Sequence, residues 1–169
     1  VRCTVEKLTN ESLLREACEF TILKGTSNQT FEKMLELEHS PIRTQVYIVR
    51  LYDIPAFTAH HLRTHTIGVL GHFITSRRND RGGEKNELRS EPVDHLFICN
   101  AEALINIAHA RLCPVEVHKD TLAVVKMIVA EVEEPLKKHL VPNCEYRGNR
   151  CNKKKSCGRY DNDRIYQVY

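Results

Sequence analysis

Between Glu11 and Lys24, Leu14, Ala17, Cys18 and Thr21 fall at i, i+3, i+4 and i+7, so one helical face is largely apolar. Asn10 can cap the start and Gly25 the end, and the spacing predicts a helix over that span. A shorter helix is predicted from Thr30 to Glu38, with Thr30 as N-cap and Met34 and Leu37 turned inward. The run Gln45–Tyr52 is rich in β-branched and aromatic residues and apolar at both alternating sets of positions. It reads as a strand covered on both faces. Asp53-Ile54-Pro55 reads as a helix start, since Pro suits the first turn and Asp53 can cap it. That helix would run through Phe57 and His61 to about His65. Ile67 to Ile74 reads as a strand or loop, and the polar, glycine-containing Arg77–Pro92 as a mobile surface connection. Asn100 caps a further helix whose Leu104, Ile107, Ala108 and Arg111 share a face. Pro114 opens another, with Val117, Thr121, Val124, Ile128 and Val132 in register, ending before Pro142. Helices outnumber strands in a mixed order, and the expected class is α+β.

Composition narrows the function. The 169 residues are 41% hydrophobic and 28% charged, which fits one globular domain. No apolar run is long enough for a membrane span. The formal charge of +3 is unevenly placed: residues 143–169 hold seven Lys/Arg against three Asp/Glu, leaving residues 1–142 at −1. The chain therefore reads as a domain over 1–142 and a basic, Cys-containing tail over 143–169. The tail is a solvated extension, a metal knuckle or a phosphate-facing flap, and nucleic acid is a candidate partner for it. Seven cysteines without a basic-then-apolar leader are read as reduced thiols of a cytoplasmic protein. Cys18 and Cys99, in apolar contexts, read as core residues.

The chemistry-bearing residues fall in clusters. His61 and His65 lie four apart on a predicted helix, the spacing of a metal-binding pair, but a hydrolytic zinc helix needs Glu where this chain has Leu62. The bland alternative is a pair of half-buried, hydrogen-bonded histidines. Arg111 shares its helix face with Leu104, Ile107 and Ala108, and an inward guanidinium needs an anion. From position alone a structural salt bridge is favoured over a ligand phosphate. Ser76-Arg77-Arg78, in a basic Gly-containing loop, suits phosphate contact or plain solvation. Cys144, Cys151 and Cys157 could hold zinc with His139 or solvent as fourth ligand, although the spacing is looser than paired CxxC motifs.

Together these clusters resemble the flavin-dependent thymidylate synthases from His39 to about Glu134. That family has a His before a strand, a Pro-led helix ending in Arg-His-Arg-Ile, a Ser-x-Arg turn, and a helix of the form Asn-Ala-x-x-Leu-x-Asn-x-x-x-x-Arg. Here His39 precedes the strand, Pro55, Phe57 and Ala59 lie where the motif helix begins, and the motif reads Thr64-His65-Thr66-Ile67. Asn100, Ala101, Leu104, Asn106 and Arg111 match the late helix at full spacing.

The resemblance implies the family's complementing-protein-like fold, mixed helices with an antiparallel sheet, in a homotetramer whose sites are shared between subunits. It implies FAD as cofactor, with contacts at His39, His65, Asn100 and Asn106 and with Thr64, Thr66 and His72 beside them. It places dUMP against His61, Ser76, Arg78 and Arg111. The implied reaction is methylation of dUMP to dTMP, with methylenetetrahydrofolate and NADPH as co-substrates and no protein nucleophile. Thr64 and Thr66 replace both motif arginines, removing two permanent cations from the region of developing negative charge. Arg89 is a stand-in for a further phosphate-binding arginine. The alternative is an inactive or repurposed homologue that binds nucleotide or nucleic acid or serves as a structural subunit.

Overall fold

The structure is a computed structural model that describes residues 1–75, 80, 82 and 89–160. Four antiparallel strands, β1 (Arg2–Lys7), β2 (Val46–Pro55), β3 (Val69–Ile74) and β4 (Pro92–Asn100), form one sheet in the order β1-β2-β4-β3. The helices are α1 (Glu11–Glu19), α2 (Phe31–Glu36), α3 (Ala56–Arg63), α4 (Ala101–Arg111), α5 (Lys119–Glu131) and the single turn α6 (Asn143–Tyr146). Short 3₁₀ turns occupy Ser40–Thr44 and Lys137–His139. The α+β class expected from the sequence is the one observed.

Only one face of the sheet is fully buried. Tyr47, Val49, Leu51 and Ile54 of β2 and Val93, His95, Phe97 and Cys99 of β4 point into a core completed by Leu62, Leu104, Ile107, Val124 and Ile128. Val46, Ile48, Arg50 and Tyr52 lie on the half-exposed opposite face, so β2 is not covered on both sides as its composition predicts. Its second face carries long side chains that pair at the surface instead, with Arg50 Nη1 2.9 Å from Glu6 Oε2 and the Arg2 guanidinium over the Tyr52 ring.

Other expectations are corrected at element ends. α1 stops at Glu19 rather than Lys24, because the Thr21 hydroxyl donates to Cys18 O and draws off a terminal carbonyl; Thr21 is exposed. Thr30 does cap α2, but Leu37 is its exposed C-cap rather than an inward residue. Asp53 does not start a helix. Between the pairs Leu51–His95 and Ile54–Val93, β2 spends three residues where β4 spends two. Asp53 takes up the bulge at φ 55°, a region Asp enters more readily than most side chains, and its N–H donates to Asp94 Oδ1 at 3.1 Å. α3 therefore begins after Pro55, its first amides satisfied by the strand-leading segment: Ala56 N donates to Glu91 O and Phe57 N to Arg89 O.

α5 starts at Lys119 rather than Pro114, with His118 Nδ1 accepting from Asp120 N. It ends at Glu131, short of Pro142, since the extended Val132 and then Pro135 block continuation. Asn100 caps α4 as predicted, its Oδ1 accepting from Ala103 N at 2.9 Å. Strands β1 and β4 were not read from the sequence. The expected mobile connection 77–92 lies mostly outside the described residues, and β4 begins at its end. Residues 143–160 fold back over α4: the Tyr146 ring stacks on His109 at 4.4 Å, and its hydroxyl donates to Glu38.

Candidate functional site

The site forms where α3 ends against the end of α4. A helix leaves its last carbonyls without intrahelical donors, and its dipole gathers negative partial charge there. Arg111, the last residue of α4, meets that need. Its Nη2 donates to His61 O at 3.2 Å and to Thr64 Oγ1 at 3.0 Å, while the Thr64 hydroxyl itself donates to His61 O at 2.7 Å. Its Nε donates to His65 Nε2 at 3.0 Å. The expected salt bridge is absent among the described residues: Arg111 pairs with a carbonyl, a hydroxyl and an imidazole, and no carboxylate is bonded to it. Its Nη1 has no hydrogen-bond partner among the described residues.

These contacts fix the state of His65. Burial first, then the Arg111 cation and His72, push its pKa down to about 4, so the ring is neutral at pH 7. With Nε2 accepting from Arg111, the single proton sits on Nδ1. His72, on β3, contacts the same residue through the backbone: its Nε2 donates to His65 O at 3.1 Å. Its Nδ1 lies 3.0 Å from His95 Nε2, so the two rings share one proton across that contact. His95 Nδ1 is buried without a hydrogen-bond partner among the described residues. His95 is 1% exposed, and burial followed by His72 pushes its pKa down to about 4.

His61 faces α5. Its Nδ1 is 3.1 Å from the Thr121 hydroxyl, which also meets Thr58 Oγ1 at 3.2 Å. Burial, then Arg111, His60 and His118, lower the His61 pKa. One nitrogen of His61 and one of His65 are thus engaged by Thr121 and Arg111. Among the described residues, no three His, Cys, Asp or Glu side chains are grouped closely enough to hold an ion.

The sequence-derived candidates divide in space. Thr64, His65, Arg111, His61 and His72 come together, and Thr66 stands exposed beside them. Asn106 is exposed on another side of α4, about 140° around the axis from Arg111. It lines a cavity of about 220 Å³ with Glu38, Glu102, His109 and His139. His39 is exposed next to Glu38, just ahead of the first 3₁₀ turn. His139, which lines that cavity, is not among the residues lining the one shared by Cys144, Cys151 and Cys157. Asn100 sits at the far end of α4 from Arg111, and its side chain packs on Gly68, where an added Cβ would lie 2.4 Å from Oδ1. Arg89 is tied by its backbone to the start of α3, whereas the site is at the end of that helix. Ser76 and Arg78 lie outside the described residues.

Sequence reading missed His95 and Thr121 as members of the polar network. The alternation Val93, His95, Phe97, Cys99 was the available signal for His95. Thr121 was read only as a helix-face position.

No family model matches the sequence, and no curated protein matches it. Solved structures do match in three dimensions. The flavin-dependent thymidylate synthase ThyX from Helicobacter pylori, complexed with FAD and dUMP, superposes with TM-score 0.63 at 10% identity, over 83% of this chain and 98% of that one. A second structure of that enzyme with FAD and dUMP gives 0.63 at 11% identity, over 85% and 99%. The fold is that of the flavin-dependent thymidylate synthases. It is also shared with the UMP/dUMP methylase PolB from Streptomyces cacaoi, bound with 5-Br dUMP, at TM-score 0.57 and 13% identity, over 82% and 94%. The chain thus spans nearly the whole thymidylate synthase fold. No helix among its described residues is long and apolar enough to cross a membrane.

Proposed function

We propose that this chain is a flavin-dependent thymidylate synthase-like enzyme that methylates C5 of dUMP, using FAD, methylenetetrahydrofolate and NADPH. The observation that carries the reading is the meeting of His65 and Arg111, forty-six residues apart and matching two separate family motifs. Flavin, uracil and phosphate all present acceptors. The residues here offer a matching donor set: the Arg111 Nη1, the His65 Nδ1–H and the exposed hydroxyl of Thr66. FAD bound there would supply the hydride chemistry.

The protein's own contribution is binding and orientation. Arg111 holds the end of α3 and keeps its charge beside the site. His65, held neutral, donates a hydrogen bond without adding a second cation. His39 and Asn106 stand on another side of α4 from Arg111, so these candidates do not surround one ligand within a single copy. That division supports a site completed by a second copy, as in a homotetramer.

A visible absorption titration tests this reading. Added FAD is expected to bind and its spectrum to shift when dUMP follows; rescue of a thymidine-requiring bacterium then tests turnover. A chain that binds neither ligand sinks the proposal.

A second reading is favoured by Thr64 and Thr66 standing where the motif has arginines: a nucleotide-binding or structural homologue without turnover. It predicts ligand binding without rescue.

A further inference from the structure

We propose that the tail carries a zinc site made by Cys113, Cys144, Cys151 and Cys157, a reading independent of the methylation chemistry. Three of the seven cysteines, Cys3, Cys18 and Cys99, sit in the main core. The other four line one cavity, where the link between α4 and α5 meets the returning tail. Cys113 comes from that link, Cys144 from α6, and Cys151 and Cys157 from the segment that follows. The cavity is only about 20 Å³, room for a single water-sized occupant. All four are free thiols.

Zinc is the occupant that this donor set selects. Thiolate sulfur prefers a soft, tetrahedral ion over calcium or magnesium, which take oxygen. A four-cysteine site is a closed, structural one. Binding exchanges four S–H bonds for four Zn–S bonds and releases four protons to solvent. The resulting double negative charge lies beside Lys153, Lys155 and Arg159, which line the same cavity. Lys153 is paired with Glu116 and Arg159 with Glu145, while Lys155 has no ion-pair partner among the described residues.

The ion would also supply what the segment lacks. Beyond α6 the described tail has no regular helix or strand, and Cys151 is its one buried cysteine. A short segment with so small a core is the kind that a metal staples. The four sulfurs do not yet converge in this structure, so binding would draw the half-buried and exposed thiols, Cys157 above all, inward.

The test uses the full, tag-free chain purified under reducing conditions. Elemental analysis is expected to find about one zinc per chain. Stripped protein refilled with cobalt is expected to show the intense visible bands of tetrahedral cobalt and the sulfur-to-cobalt charge transfer of four thiolates. One equivalent of zinc should protect four thiols from a thiol reagent that they meet in the stripped protein. Cys113→Ser and Cys157→Ser should each weaken zinc binding about tenfold or more, whereas Cys18→Ala should not. Should a serine variant fail to fold, the wild-type cobalt spectrum decides by itself. An octahedral spectrum, substoichiometric metal, or disulfide-linked cysteines in the reduced preparation would overturn the proposal. A spectrum lost in His109→Ala but kept in Cys157→Ser would overturn the role given to Cys157.

Discussion

Arg111 Nε donates to His65 Nε2 across 3.0 Å, joining the last residue of α4 to the second residue beyond α3. One guanidinium therefore caps a helix, sets a tautomer and places a permanent charge. Arg111→Ala is expected to destabilise the fold by about 1–3 kcal/mol, because it strips donors from His61 O, Thr64 and His65 together. Without the cation the His65 pKa should rise above about 4, yet stay depressed, since burial is the larger cause. NMR titration of the His65 ring protons checks this, and an unchanged value would show that Arg111 does not act on the ring.

Stability should fall as pH drops from about 6.5 to about 4. His65 and His95 are both depressed to about 4, so the unfolded chain takes up protons that the folded one refuses. Their contribution is complete above the ordinary histidine value near 6.5 and has gone once the pH passes below about 4. For the deeply buried His95 it amounts to at most about 3 kcal/mol. Urea melts across that range should show a flatter pH dependence in His95→Gln than in the parent; parallel curves would remove His95 as the source.

The two motif positions should respond differently to arginine. Thr66→Arg adds charge at an exposed position and is expected to tighten binding of dUMP. Thr64→Arg removes the hydroxyl that accepts from Arg111 and sets a second guanidinium beside it, so it should weaken both stability and binding. Calorimetric binding with a parallel thermal melt distinguishes the two, and equal gains at both positions would contradict the geometry.

Gly68→Ala is expected to cost about 1–3 kcal/mol. The residue sits at φ +74°, and the new methyl would meet the Asn100 side chain that caps α4. In an Asn100→Gly background the steric part of that cost should disappear, leaving the backbone part. A double-mutant cycle on denaturant midpoints measures the difference.

The late helix was legible because its cap, period and motif agree: Asn100 accepts from Ala103, and Leu104, Ile107 and Ala108 are buried. The relation of His65 to Arg111 was legible only through the family resemblance, since nothing in local spacing pairs residues so far apart. β4 was overlooked because both of its alternating sets are largely apolar and His95 interrupts the buried one. The Asp53 bulge was misread because Asp-x-Pro is a helix-start signal, and the pairing that overrode it comes from a distant strand. Arg111 was assigned a carboxylate partner because sequence does not show a helix end waiting for a cation.

That bulge has a consequence for how the chain tolerates change. Side chains along a strand alternate in direction, so the extra residue at Asp53 is what lets Leu51 and Ile54 both face inward, and it fixes the heading on which α3 departs. The meeting of His61 and His65 with Arg111 and Thr121 is therefore a matter of counting. One residue removed before Ala56 would leave every side chain of α3 chemically intact and aim the helix elsewhere, whereas many substitutions within its exposed turns would leave the aim untouched.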